Sequence, residues 1–171
     1  MHAFAFLRGI NVGGRRPKKD ELVAAADGPE LHHVSTFLAS GNLLFETATE
    51  PTALAATLEA RLGERLGYDV ACFVRTLDEL RSIVDTLPVL GADEKHQVAF
   101  FQDTVDERTR AAYAAAAGET DVLRWRDREL VWTHVGGMLD SPIGNAMPKL
   151  TPPTNTVRTG NTVERLVAKF A

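Results

Sequence analysis

The chain has 171 residues, of which 44% are hydrophobic and 25% charged, and a formal net charge of −4. That balance excludes a disordered chain, and no run approaches the ~20 apolar residues a membrane span needs. The acidic total also speaks against a general nucleic-acid binder, which presents a broad basic surface.

The periodicity predicts a buried first strand over Ala3 to Ile10, then a glycine-rich loop from Asn11 to Arg16. Pro17 suits the first turn of a helix that carries Leu22, Val23 and Ala26 and stops at Gly28-Pro29. Val34 to Ala39 and Leu43 to Glu46 read as a hairpin joined through Ser40-Gly41-Asn42. Leu54, Ala55, Leu58, Leu62 and Leu66 mark a second helix ended by Gly67, and Asp69 to Arg75 a fourth strand.

The order β-α-β-β-α-β is that of a ferredoxin-like unit. The phenylalanines of its strands, Phe4, Phe6, Phe37, Phe45 and Phe73, are expected to form the core beneath its two helices. The alternative, an RNA-binding sheet, lacks its Lys/Arg-Gly-aromatic pattern.

Thr76 with Glu79 predicts a capping box for a helix striped by Leu77, Leu80, Ile83, Val84 and Leu87. Gln97 to Gln102 reads as a strand, and Thr104 with Glu107 caps an alanine-rich helix. Val122 to Arg126 and Glu129 to Val135 form a second hairpin around Asp127-Arg128. Gly136 to Gly160 reads as a loop, and a last helix comes after it, with Asn161 as its N-cap and Val163, Leu166, Val167 and Phe170 on one face. The second half thus repeats the first half's order without its final strand. The expected fold is α+β, two ferredoxin-like halves over 1–76 and 77–171 packed as one compact protein.

Arg8, Arg15, Arg16, Lys18 and Lys19 fall within twelve positions with no acid among them. Gly9 and Gly14 stand five apart after a strand and before a helix, the setting of a phosphate-binding loop. The lysine and hydroxyl residue that should come next are replaced by Arg15 and Arg16, so a nucleotide triphosphatase is rejected while anion binding is kept. Equally, the glycines can serve a tight turn and the arginines can face solvent. The candidate binding residues are Gly9, Asn11, Gly13, Gly14, Arg15, Arg16 and Arg158.

No pair among His2, His32, His33, His96 and His134 is spaced i, i+4, and no Cys/His cluster exists, so no metal or cofactor is expected. His134 alternates with Leu130 and Trp132 and should face their packed side or the strand end. Cys72 sits in an apolar strand and reads as a small core hydrophobe rather than a nucleophile. As a lone cysteine it cannot close an internal disulfide, and Arg8 breaks an apolar N-terminus that has no basic stretch ahead of it. The cytoplasm is therefore the expected location.

Ala5-Phe6-Leu7-Arg8-Gly9-Ile10-Asn11-Val12-Gly13-Gly14 resembles the opening of an uncharacterised bacterial family of unknown function, DUF1697. Ser40-Gly41-Asn42-Leu43-Leu44-Phe45 is similar to its second hallmark, SGNVVF. Its C-terminal T-x-R-N-W-N-T-V is matched at Thr156, Arg158, Asn161, Thr162 and Val163, while Thr159 and Gly160 depart from it. The resemblance implies two related α+β halves and no established activity, substrate or cofactor.

The leading functional expectation is a binding protein for a small phosphate- or carboxylate-bearing ligand at the Gly/Arg-rich loop. An enzyme acting on such a ligand is the rival; it lacks a general base in these segments, and no catalytic residue is assigned. A third reading is an interaction protein that pairs exposed strand edges into a homo-oligomer. Nucleic acid and membranes are not expected partners.

Overall fold

The computed structural model describes residues 1–38, 41–150 and 154–170. The chain divides into two units, Met1–Arg81 and Ser82–Ala171.

In the first unit, β1 (His2–Arg8), α1 (Lys19–Ala26), β2 (His32–Thr36), β3 (Asn42–Glu46), α2 (Pro51–Leu66) and β4 (Ala71–Thr76) occur in that order. The strands lie in the order β2-β3-β1-β4, every pairing antiparallel. That is the arrangement of a ferredoxin-like unit, built by two crossovers from the order read in the sequence.

Alternation sorts the strand residues between two faces. Ala3, Ala5, Leu7, Leu43, Phe45, Cys72 and Val74 pack with Leu22 of α1 and Leu54, Leu58 and Leu62 of α2. Of the phenylalanines expected there, only Phe45 belongs to this helix-side core. Phe4, Phe6 and Phe73 are fully buried on the opposite face, together with Leu44 and Arg75. The period of two puts them there, because Phe4 and Phe6 alternate with the small alanines that let the helices approach.

Two arginines of α2 fix the C-terminal end of α1. Arg61 donates to the carbonyl of Ala26 at 3.0 Å and pairs with Glu30, and Arg65 donates to the carbonyls of Ala24 and Asp27 at 2.8 Å each. Cations at a helix C-terminus meet both its unsatisfied carbonyls and its dipole.

α3 (Leu77–Val84) spans the division between the units. Its capping box is present: the Thr76 N–H donates to Glu79 at 2.7 Å, and the Glu79 N–H donates to Thr76 Oγ1 at 3.1 Å.

The second unit runs β5 (Glu94–Phe101), α4 (Glu107–Ala116), β6 (Val122–Trp125), β7 (Glu129–Val135), α5 (Pro142–Ala146), β8 (Asn155–Thr159) and α6 (Gly160–Ala168). Its strand order, β6-β7-β5-β8, repeats the first sheet's, again antiparallel throughout. The stretch expected as a loop from Gly136 to Gly160 therefore holds a short helix and the missing fourth strand. Pro, Gly and Asn hid both, since β8 is only five residues long and depends on pairing with β5. The cap of α4 is Asp106, which accepts from Thr109 N–H at 2.8 Å, rather than Thr104.

α4 and α5 cover one face of this sheet, where Ala99, Phe101, Leu130 and Trp132 pack with Tyr113 and Ile143. Asp121 ties that layer together: it accepts from Trp132 Nε1 at 3.1 Å, Ser141 Oγ at 2.5 Å and the Gly118 N–H at 2.8 Å. Burial raises its pKa, but these bonds outweigh it and hold the carboxyl below the usual range. α6 begins against the opposite face, where Gly160 packs on His96.

Candidate functional site

The loop after β1 owes its path to three glycines with positive φ: Gly9 at 93°, Gly13 at 67° and Gly14 at 77°. Only glycine adopts such angles without strain. At Gly9 a second reason applies, because a Cβ would stand 3.1 Å from the Asp69 carbonyl. Among the described residues, Gly13 and Gly14 have no atom within 4 Å of that position, so their backbone is open there to an approaching molecule. They close a single 3-10 turn, Val12–Gly14, entered from Asn11 and ended by the Arg15 N–H on the Val12 carbonyl at 3.3 Å.

The helix does not begin at once. Pro17, expected in its first turn, lies before it; Arg15 and Lys18 are extended, with ψ of 135° and 159°, and α1 starts at Lys19. A proline also disfavours helical angles for the residue ahead of it, and Arg16 lies outside any helix. The helix start already has its own anion, for the Lys18 N–H donates to Glu21 Oε2 at 3.2 Å. Asp20 and Glu21 both sit in the first turn. Any outside anion therefore meets the loop itself and not the helix terminus.

Arg15 is held. Its guanidinium carbon lies 4.5 Å from the centre of the Tyr68 ring, and Tyr68 Oη donates to the Ile10 carbonyl at 3.0 Å. Tyr68 itself packs against the helix-side core. The structure thus brings Gly13, Gly14, Arg15 and Arg16 together on an exposed loop, with Lys18 and Lys19 just beyond. Tyr68 was missed in the sequence, where a lone tyrosine after Gly67 carries no signal of the partner it finds.

Arg158 belongs to the second unit. It stands in β8 opposite Val98 and donates to Thr156 Oγ1 at 2.8 Å and to the Val157 carbonyl at 2.9 Å. Burial pushes its pKa down to about 10, still far above neutrality, so it stays charged. The cap after it is Thr159, whose Oγ1 accepts from the Thr162 N–H at 3.2 Å, in place of Asn161. Glycine stands at position 160 because a side chain there would run into the His96 imidazole.

Other polar groups are buried within the second sheet. His134 is fully buried as its alternation implied, 4.7 Å from the Trp132 ring centre and 3.1 Å from Gln97 Nε2. Cys72 is buried in the first unit, and burial, then the Glu59 charge, raise its pKa far above the ordinary thiol value. That suits the inert thiol expected. Among the described residues no group of three His, Cys, Asp or Glu side chains is placed to hold a metal ion. Likewise no helix among them is long and apolar enough to cross a membrane.

Residues 1–131 match the family model described as protein of unknown function (DUF1697), and the chain belongs to that family. No curated protein matches it. Among solved structures it is similar to the conserved bacterial protein SP0830 from Streptococcus pneumoniae, at 19% identity and a TM-score of 0.78. That likeness covers 99% of this chain and 98% of the other, and at such identity it speaks for the fold alone.

Proposed function

We propose that this DUF1697 member binds a small phosphate- or carboxylate-bearing ligand at the loop between β1 and α1. The observation that carries the reading is Arg15 stacked on Tyr68 at 4.5 Å. Stacking engages the face of the guanidinium plane and leaves its edge, where the N–H groups lie, for an oxyanion. A long side chain held in place in advance loses less entropy when it binds.

Gly13 and Gly14 let the ligand approach the backbone, and Arg16, Lys18 and Lys19 add exposed positive charge. A hydrogen bond to a charged group contributes about 1.5–3 kcal/mol, so two of them supply roughly 3–6 kcal/mol and predict binding of a simple oxyanion in about the millimolar to tens-of-micromolar range. No acid or base stands between Gly9 and Arg16 to move a proton, so the reading is binding without a reaction. The buried Cys72 stands in no disulfide, which suits a reducing compartment, and we place the protein in the cytoplasm.

The test is a heteronuclear NMR titration with phosphate, sulfate and citrate. Wild type should show saturable shifts at Gly13, Gly14 and Arg15. Arg15→Ala and Tyr68→Leu should each weaken them several-fold while remaining folded. Identical responses from wild type and Arg15→Ala would reduce the loop to a turn carrying solvated charge.

A further inference from the structure

We propose that the groove between α1 and β2 takes an extended peptide as an added strand, with a basic residue of that peptide against Asp27. The inference is independent of the anion site.

Among the described residues β2 is an edge of its sheet, with β3 as its one neighbour. Ser35 stands opposite Leu44, and the Phe37 N–H donates to the Asn42 carbonyl at 3.1 Å, so residues 35 and 37 turn their backbone groups toward β3. Alternate residues of a strand point opposite ways, which turns the N–H and C=O groups of Val34 and Thr36 outward. An unpaired edge of this kind is the main-chain half of strand addition.

Those groups open on a groove of about 640 Å³ whose other wall is α1. That volume falls within the usual range for a bound ligand, ~300–1,000 Å³. Asp20, Val23 and Ala24 of α1, with Asp27 as its C-cap, stand at i, i+3, i+4 and i+7 and line the groove along one stripe. Seven residues of helix rise separate its two acids by about 10.5 Å, the reach of three to four extended residues. The wall is fixed, because Arg65 holds the Ala24 and Asp27 carbonyls.

Charge chooses the occupant. Lys19 also lines the groove and offsets Asp20 at one end. At the other end the Asp27 carboxylate takes no hydrogen bond or ion pair among the described residues. A peptide with a basic residue there and apolar residues over Val23 and Ala24 complements both the charge and the apolar floor. The bulge between His32 and Ser35, with His33 at a φ of 54°, ends the regular edge. It leaves only Val34–Thr36 for pairing and opposes long edge-to-edge association of two copies.

The test is selection from a phage-displayed random heptapeptide library on the intact protein. Enriched clones should share a basic residue beside apolar ones, and a synthetic consensus peptide should bind saturably. Thr36→Pro removes one outward N–H, which proline at a sheet edge tolerates, and should weaken that peptide at least 10-fold with the melting temperature unchanged. Asp27→Lys should shift selection toward acidic peptides, a readout that stands even if Thr36→Pro fails to fold. Three results would overturn the proposal: no enrichment, a consensus indifferent to both variants, or a concentration-dependent dimer formed through this edge.

Discussion

Two segments of this chain carry arginine toward a helix, and they end differently. Arg15 and Arg16 precede α1 on an exposed, extended run, while Arg158 precedes α6 inside strand β8. In β8 the ladder to β5 sets Arg158 opposite Val98, and its guanidinium is used on Thr156 and Val157. Among the described residues no strand takes up the backbone around Arg15, and its side chain lies over the Tyr68 ring. The helix starts differ in the same way: Glu21 reaches back to cap α1, whereas Thr159, the last residue of β8, caps α6. Whether an arginine before a helix keeps its charge for a ligand therefore depends on what pairs with the backbone just ahead of the cap.

The comparison can be broken most strongly at its glycines. Gly160→Ala should destabilise the protein by about 1–3 kcal/mol in urea unfolding, because the new methyl meets His96 in a packed layer. Adding His96→Ala should recover part of that loss; without recovery, the contact is not the cause. Gly14→Ala meets no neighbour and should cost only the left-handed backbone penalty, about 1–2 kcal/mol, with no rescue from any side-chain removal.

The arginines come next. Arg158→Ala should lose about 1.5–3 kcal/mol through its charged hydrogen bonds, and Arg16→Ala should stay within about 0.5 kcal/mol, as exposed surface changes do. Equal losses from the two, measured by thermal unfolding, would erase the distinction.

The smallest effect is in pH. Burial lowers the His96 pKa from 6.5, with Glu164 acting the other way. The unfolded chain thus takes up its proton first, so stability is fully present above pH 6.5 and declines as pH falls from there toward the folded value. His96→Phe should flatten the pH dependence in that window, and an unchanged slope would mean another group titrates there.

Much of the first unit was legible. The period of two in Ala3 to Leu7 and the leucine stripe of α2 placed strand and helix, because each repeats long enough to mark one buried face. The capping box at Thr76 and Glu79 needed only local geometry. β8 was not legible, since five residues after a run of Pro, Gly and Asn show too little alternation, and pairing with β5 makes them a strand. Within the candidate site, the glycine turn and its cations could be read from order and composition. The delayed start of α1 could not, because Pro17 is as compatible with the first helical turn as with the extended residue before a cap.

By itself, then, the sequence determined the features that local periodicity and backbone chemistry dictate: the ferredoxin-like order of the first half, the glycine turn after β1, and a buried Cys72. Tertiary structure alone decided which residues meet across the chain. It put Tyr68 beneath Arg15, chose which face of the first sheet the helices cover, and took Arg158 into a sheet. Those outcomes rest on strand pairing and on contacts between residues far apart in the chain, which no window of neighbouring residues encodes.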